Sequence, residues 1–243
     1  MKAVAAFRPF APEPGSPNAD LGPFDWIQAL KMSAASVERS CGAPHFALTD
    51  LDTRLPVQAY QFETTHRRLM LWILEVSLRY LESAAFDDDT VFMGADVLAL
   101  QDLRFGFAAD LGYIARAAKF PDPVLNSAQW WSVAAKPRLI AFYRAALAIA
   151  EELPDETIRW GADTVPVAQL LAPAVVGPSE RAGLSAYGWP EEDTIVPLMS
   201  VDIWRLDLKI PTVLHDAPLL DFRSLRKQHM ARYYKRTFGR LAS

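Results

Sequence analysis

The sequence has almost no cysteine, since Cys41 is the only one among 243 residues. An intrachain disulfide is therefore impossible, and the chain suits a reducing compartment. Long hydrophobic runs are missing too, because the most apolar helix candidate, residues 67–81, contains Glu75 and Arg79 and is too short to span a bilayer. The apolar run at the N-terminus ends at Pro9 and is too short for a signal peptide. We expect a cytoplasmic protein without a transmembrane segment.

A surplus of positive charge is also absent. The chain has 25 Lys and Arg residues against 29 Asp and Glu residues, a formal net charge of −4, and this balance gives no general reason to expect nucleic-acid binding. Hydrophobic residues make up 51% of the sequence, which is enough for one large α/β domain or two small ones. The composition therefore indicates a globular protein with a sizeable core.

Apolar segments with strand character alternate with segments of helical periodicity. Strands are predicted at residues 2–7, 45–51, 57–64, 90–100 and 106–118, and strand character returns at 193–204 and 211–216. Helices are predicted at residues 24–42, 66–86 and 137–153, in the segment 160–172, and at the basic C-terminus. This alternation predicts an α/β fold with a mixed, mostly parallel central sheet flanked by helices. In such sheets ligands bind outside the carboxyl ends of the strands.

Asp96 interrupts an otherwise apolar segment. Residues 90–93 have the character of a buried strand, and Gly94-Ala95-Asp96 falls at the carboxyl end of that strand. A carboxylate at this position faces the crevice in which such sheets bind their ligands. From position alone, an Asp that caps a turn is the simpler interpretation.

Three further short motifs follow Asp96 along the chain. They are Asn126-Ser127-Ala128, the turn Gly161-Ala162-Asp163-Thr164 at a helix start, and His215-Asp216-Ala217 followed by the basic pair Arg226-Lys227. In this order and spacing, the motifs resemble those of the nucleotide-diphospho-sugar transferases, which are glycosyltransferases with the single Rossmann-like domain called the GT-A fold. The likeness is greatest to the glycogenin-like and galactosyltransferase-like retaining enzymes, and it covers most of the chain.

The resemblance implies a single glycosyltransferase-like domain over residues 1–243. Residues 1–120 would form the nucleotide-binding half, 121–220 the acceptor half and 221–243 a basic C-terminal helix. The implied reaction moves a sugar from a nucleoside-diphosphate sugar, with UDP as the expected nucleotide, to an acceptor hydroxyl with retention at the anomeric carbon. The acceptor stays open between a glycan, a lipid-linked glycan and another hydroxyl.

A metal site is also implied by the resemblance. In that family an Asp-x-Asp motif and a distant His hold Mn²⁺ or Mg²⁺, which neutralises the diphosphate. The matching residues here are Asp96 and His215, but Gly94 stands where the motif has its first Asp. The metal is therefore expected to be weakly held, or to be replaced by Lys and Arg. Arg226 and Lys227 match the basic residues that bind the phosphates.

Further site residues are implied in the same way. Asp163 and Asn126 are expected to act as catalytic residues at the transferred sugar, although a helix N-cap and a turn Asn are the simpler interpretations. The donor site is expected to include Phe7, Arg8, Asp50 and Arg68 as well as Asp96, Arg226 and Lys227. The acceptor side is expected to include Trp131 and Trp189, since an indole ring packs against a sugar face. Of the adjacent Trp130 and Trp131, one should lie in the core, because neighbouring strand residues point to opposite faces.

The segment 223–240 carries seven Lys and Arg residues and no acidic residue, interleaved with apolar side chains. Such a basic, amphipathic helix fits three partners. An anionic membrane surface would suit a lipid-linked acceptor and make the protein a peripheral membrane protein, a polyanion such as DNA would serve equally, and the third partner is the chain's own acidic domain.

Two other functions fit the same type of sheet. A catalytically reduced nucleotide-sugar-binding or scaffold protein is favoured by Gly94 and by Thr164, which stands where the family has Gln. A nucleotidyltransferase is disfavoured, because residues 8–22 lack the glycine density of the loop that follows the first strand in those enzymes.

Overall fold

Six of the described strands fall within predicted strand segments, whereas those at residues 124–131, 186–187 and 219–221 are not among the predicted ones. In the computed structural model the described residues are 1–10, 23–108, 110–115, 124–171, 186–187, 219–222 and 224–241. Within them the strands are β1 (Lys2–Ala6), β2 (His45–Asp50), β3 (Ala59–Phe62), β4 (Thr90–Met93), β5 (Val97–Ala99), β6 (Leu111–Ala115), β7 (Val124–Trp131), β8 (Ala186–Tyr187) and β9 (Leu219–Asp221). The predicted strand segments 193–204 and 211–216 lie outside the described residues.

The helices follow the apolar periodicity of the sequence, except for the short helix over residues 155–161, which is not among the predicted ones. They are α1 (Trp26–Cys41), α2 (Leu69–Glu82), α3 (Lys136–Glu151), α4 (Asp155–Gly161), α5 (Val165–Leu171) and α6 (Met230–Phe238), with 3₁₀ turns at Arg104–Ala108, Val133–Ala135 and Ser224–His229. Asp25 caps α1 by accepting a hydrogen bond from the Gln28 amide at 2.8 Å, and Gly42 ends it in the left-handed conformation at φ 61°. Of the helices in this part of the chain, none has the length and apolar character needed to cross a membrane.

Seven of the described strands form one mixed sheet in the order β3-β2-β1-β4-β7-β6-β8. β1 pairs in parallel with β2 and β4, β2 with β3, and β6 with β8, whereas β7 runs antiparallel to both of its neighbours. The predicted mixed, mostly parallel sheet is therefore confirmed. The chain moves outward from β1 to β2 and β3 and then crosses to β4 on the other side of β1. The topological switch point, at which such sheets bind ligands, therefore lies between β1 and β4.

Helices cover both faces of the sheet. Phe92 and Trp131 pack with α2 and α3 on one face, whereas Val91 and Trp130 pack with α1 on the other. The two adjacent tryptophans point in opposite directions, as expected for neighbouring strand residues, but both are fully buried. The sheet is thus the middle layer of a three-layer α/β/α arrangement.

The Gly94-Ala95-Asp96 turn breaks the segment 90–100, which the sequence predicts as one strand. β4 stays in the main sheet, whereas β5 leaves it and pairs antiparallel with β9 in a separate two-stranded sheet. Two serines of α1 form hydrogen bonds with the Ala99 backbone of β5. The Ala99 amide donates to Ser36 Oγ and the Ala99 carbonyl accepts from Ser40 Oγ, each at 2.9 Å. The prediction of one continuous strand over residues 90–100 is wrong, whereas the placing of Gly94-Ala95-Asp96 at the carboxyl end of a strand over residues 90–93 is confirmed.

The region 106–118 differs from its predicted strand in part. Its first residues belong to the 3₁₀ turn Arg104–Ala108, and β6 begins only at Leu111. Gly106 and Gly112 explain the path, because a Cβ atom on Gly106 would lie 2.3 Å from the Trp130 ring and one on Gly112 would lie 2.7 Å from the Gly106 carbonyl oxygen. Both glycines let the backbone pass close to the buried Trp130.

The basic C-terminal helix α6 packs against its own domain. Met230, Tyr233 and Tyr234 are buried in a cluster that includes residues of α1, and the Arg39 guanidinium donates to the Phe238 carbonyl. The side chains of α6 that remain exposed include Arg232, Lys235 and Arg236. The apolar face of α6 therefore binds the chain itself, and contact of the basic face with an anionic membrane or a polyanion stays a prediction.

His45 makes the stability of the fold depend on pH. It is buried at the start of β2, and neither ring nitrogen has a hydrogen-bond partner among the described residues. Burial lowers the pKa of His45 from 6.5 to about 4. Because the unfolded chain takes up this proton first, the free energy of unfolding should fall by about 3 kcal/mol as the pH drops from 6.5 to about 4.

We expect His45→Leu to remove this part of the pH dependence when urea denaturation is followed between those two pH values. His229→Gln, at a partly buried histidine before α6, is the matched control and should keep the wild-type slope. The assignment is wrong if His45→Leu and wild type lose stability in parallel.

Candidate functional site

The carboxyl ends of β1 and β4 lie side by side at the switch point of the sheet. β4 ends at Met93, and the next residues form a turn in which the Val97 amide donates to the Gly94 carbonyl at 3.1 Å. Ala95 of this turn packs in one buried cluster with Phe7, which follows β1. The turn therefore lies at the edge of the sheet at which parallel sheets bind ligands.

Asp96 and Lys227 form the ion pair at the centre of this site. Lys227 Nζ lies 2.5 Å from Asp96 Oδ2, with 6% and 20% of the respective side chains exposed. The same ammonium donates to the Phe222 carbonyl at 2.9 Å, and the Phe222 amide donates to the Asp96 carbonyl at 3.0 Å. Trp26 of α1 places its ring 5.5 Å from Lys227 Nζ. The structure thus brings together Asp96 and Lys227, which are 131 positions apart in the sequence. Both are predicted residues of the donor site.

Gly94 gives the Asp96 carboxylate its space. A Cβ atom on Gly94 would lie 2.7 Å from Asp96 Oδ1 and 3.2 Å from Val97 Cγ2. Real Cβ atoms do not approach an oxygen so closely, so any side chain at this position would displace the carboxylate. The observed position of the Asp96 carboxylate therefore depends on the absence of a side chain at Gly94, where the motif has its first Asp.

The described residues supply one of the two side chains that the resemblance implies as metal ligands, and the metal site stays a prediction. No group of three or more His, Cys, Asp or Glu side chains in the described part of the chain could hold a metal ion. Asp96 supplies one carboxylate, and an ammonium group already binds it at 2.5 Å. The second predicted ligand, His215, lies outside the described residues.

Asn126 lies in a distortion of β7 beside the end of β4. Ala128 pairs with Met93, the last residue of β4, so Asn126 extends beyond that strand end at the crevice. On the other side of β7, Gln129 pairs with Tyr113 and Leu125 with Ile114, which leaves residues 126–128 bulged against β6. Bulges of this kind are frequent beside active sites, where they re-aim side chains. The side chain of Asn126 is outside the described part.

Arg8 follows β1, and Asp50 is the last residue of the adjacent strand β2. The Arg8 guanidinium donates to the His66 carbonyl at 3.2 Å and to the Arg67 carbonyl, and it lies 4.7 Å from the Trp72 ring. Burial lowers the pKa of Arg8, and the charge of Asp50 opposes this shift. Asp50 also accepts a hydrogen bond from the Thr53 amide at 2.9 Å. Both residues lie at the carboxyl edge, and the observed contacts give each of them a structural role.

Two predicted site residues are corrected by their burial. Trp131, predicted as an acceptor platform, has no exposed surface, since Phe92 stacks on it with ring centroids 5.0 Å apart and its Nε1 donates to Tyr143 Oη at 3.1 Å. Phe7, predicted at the donor base, is 5% exposed and packs in the core. Neither side chain presents a ring face to a sugar or a base.

Other predicted residues have described contacts with further parts of the fold or lie outside the described part. Arg68 occupies the N-cap position of α2 without a side-chain capping hydrogen bond, and it donates to Asp155 of α4 at 2.8 Å. Asp163 lies in the turn between α4 and α5, and its negative charge contributes to the raised pKa of Tyr143 on α3. Trp189 lies outside the described residues, as does the side chain of Arg226. These donor, catalytic and acceptor roles stay predictions.

Comparison with known proteins gives structural neighbours alone. No family model and no curated protein matches the sequence. A glycosyltransferase involved in the glycosylation of the major capsid of PBCV-1 has 12% identity and a TM-score of 0.48, and the alignment covers 94% of this chain and 97% of that one. The glycosyltransferase GlyE of Streptococcus pneumoniae TIGR4 has 9% identity and a TM-score of 0.47, with 70% of this chain and 42% of that one covered. The galactosyltransferase LgtC, in complex with donor and acceptor sugar analogues, has 14% identity and a TM-score of 0.39 over 63% and 64% of the two chains. Likenesses this low establish no activity for this chain.

Glu75 is a residue beside this site that the sequence shows only as a break in an apolar helix. Buried in α2, it accepts hydrogen bonds from the Thr65 amide and the His66 amide at 2.9 Å and from the Thr65 hydroxyl at 3.0 Å. It thereby fixes the segment whose carbonyls bind Arg8. Burial alone would raise the pKa of Glu75, but these hydrogen bonds outweigh burial and lower it. The stabilisation is therefore present above the pKa of the unfolded carboxyl and is lost as the pH falls through the lower folded value.

We expect Glu75→Gln to lower the free energy of unfolding at neutral pH by about 2 kcal/mol, since an amide oxygen replaces a charged acceptor in a buried position. Glu38→Gln, at an exposed position of α1, is the control and should leave the urea midpoint unchanged. Equal midpoints for the two variants would contradict the role given to Glu75.

Proposed function

We propose that this protein transfers a glycosyl group from a nucleoside-diphosphate sugar, with UDP as the nucleotide, to an acceptor hydroxyl. The observation that supports this most is the meeting of Asp96 and Lys227 at the carboxyl ends of β1 and β4. Two motifs of the sequence that resemble the donor-binding motifs of glycosyltransferases are in contact there, at the edge where parallel sheets bind nucleotides.

In this proposal the bond between the anomeric carbon and the diphosphate oxygen breaks, and the diphosphate leaves with the electron pair. The acceptor oxygen forms the new bond to the anomeric carbon, and its proton passes to an oxygen of the leaving phosphate, which accounts for retention without a dedicated basic residue. Lys227 stabilises the charge that develops on the diphosphate. Asp163 and Asn126 hold the sugar, and Arg8 and Asp50 lie on the nucleoside side of the site.

A non-catalytic nucleotide-sugar-binding protein is the second candidate. The specific observation in its favour is Gly94, because the missing carboxylate removes half of the motif that serves catalysis in the resembling enzymes. Such a protein would bind the donor and leave it intact. Both candidates therefore bind the nucleotide-sugar donor, but only the transferase cleaves it and releases the nucleoside diphosphate.

We expect Asp96→Asn to lower the rate of UDP release from a UDP-sugar by about a hundredfold or more, because the amide no longer holds the Lys227 ammonium in place. The release of UDP from a panel of UDP-sugars, measured with a coupled nucleotide assay, gives the rate. Asp102→Asn is the matched control, since Asp102 lies six positions away, is half-exposed and pairs with Arg104. Its rate should equal that of the wild type.

Equal rates for Asp96→Asn and Asp102→Asn would contradict the role of Asp96. Binding of UDP-sugars to the wild type without any release of UDP would favour the second candidate.

A further inference from the structure

We infer that the ammonium group of Lys227, held by Asp96, binds the donor diphosphate in place of the divalent metal ion that the resembling enzymes use. The inference rests on the proposed function, and it identifies the group that neutralises the leaving charge. It follows from a disagreement between the implied metal site and the residues at the end of β4.

The first support is the position of the ammonium. Lys227 Nζ lies 2.5 Å from Asp96 Oδ2, so a cation coordinated by this carboxylate would lie beside a second positive charge. In a site where Lys227 is 5% exposed, little water screens that repulsion. Asp96 can therefore hold either a divalent ion or Lys227 closely, and in this structure it holds Lys227.

The second support is the geometry at Gly94. The resembling motif needs a carboxylate at this position, but a Cβ atom there would lie 2.7 Å from Asp96 Oδ1. The missing side chain thus allows the Asp96 carboxylate to take the position in which it meets Lys227. Gly94, in place of the first Asp of the motif, is therefore consistent with the ion pair between Asp96 and Lys227.

The third support is the balance of charge. Two carboxylates with a divalent ion have no net charge, and neither does one carboxylate with one ammonium group. In each arrangement, therefore, a phosphate meets a cation that is held in place by carboxylates and whose charge those carboxylates balance. Lys227 has three N–H donors, of which the Asp96 carboxylate and the Phe222 carbonyl each accept one. The Trp26 ring, 5.5 Å away, is the weakest of its described neighbours, and a phosphate oxygen that replaces it gains a charge-assisted hydrogen bond.

Two measurements on the full chain test the inference. The electron paramagnetic resonance signal of free Mn²⁺ reports Mn²⁺ binding to the protein without nucleotide, and calorimetry reports UDP binding in EDTA and in MnCl₂. We expect no Mn²⁺ binding at micromolar concentrations and a UDP affinity that changes less than about threefold between the two buffers.

The variants should follow the charge at position 227. Lys227→Met should weaken UDP binding by about 10- to 100-fold, the usual effect of losing a charge-assisted hydrogen bond. Lys227→Arg keeps the charge and should retain UDP binding in EDTA. Lys235→Met, at an exposed position of α6, should bind as the wild type does. If Lys227→Met does not fold, the wild type in the two buffers and Lys227→Arg still decide the question.

The outcomes distinguish a failure of the inference alone from a failure of the proposed function. Binding of Mn²⁺ to the wild type that Asp96→Asn abolishes, together with UDP binding that needs Mn²⁺, overturns the inference and leaves the proposed function standing. UDP binding in EDTA that Lys227→Met leaves unchanged also overturns it. Failure of UDP, GDP and ADP to bind in either buffer overturns the proposed function, and the inference with it.

Discussion

The ion pair between Asp96 and Lys227 connects two distant parts of the chain. Asp96 follows β4 in the middle of the sheet, whereas Lys227 lies in the 3₁₀ turn between β9 and α6. The backbone repeats this connection, because the Phe222 amide binds the Asp96 carbonyl and β9 pairs with β5. A nearly buried ammonium group without its carboxylate would be strongly unfavourable. The pair therefore requires the C-terminal segment to close over the end of β4.

The topology of the sheet explains why this closure occurs at a ligand-binding edge. Parallel strands bring their carboxyl ends together, and the crossing from β3 to β4 opens the sheet between β1 and β4. Arg8 lies at this edge on one side and the bulged residues 126–128 on the other. Arg8, the Asp96–Lys227 pair and the bulged residues of β7 thus lie at the edge where such a sheet places its ligand.

The sequence predicts most of the framework, and less of the site. The strands β1 to β4 and the helices α1 to α3 follow from apolar spacing and from end signals such as Gly42. The end of β4 at Gly94-Ala95-Asp96 is expected, but the pairing of β5 with β9 does not follow, because Val91 and Leu98 are equally apolar although they belong to different sheets. Trp131 lies in β7, which is not among the predicted strands, and its burial depends on α3, which no local pattern places against β7. The order of the motifs predicts that Asp96 and Lys227 lie in one site. The short distance between Lys227 Nζ and Asp96 Oδ2 depends on the space left at Gly94, which the motifs do not show.

The coupling between Asp96 and Lys227 is the quantity on which this account depends, and a double-mutant cycle measures it. The free energies of unfolding of wild type, Asp96→Asn, Lys227→Met and the double variant are compared by urea denaturation at neutral pH. For a charged pair that is largely removed from water, we expect a coupling energy of about 2 kcal/mol. A coupling energy near zero would mean that the two residues do not hold the C-terminal segment at the end of β4, and would contradict the account.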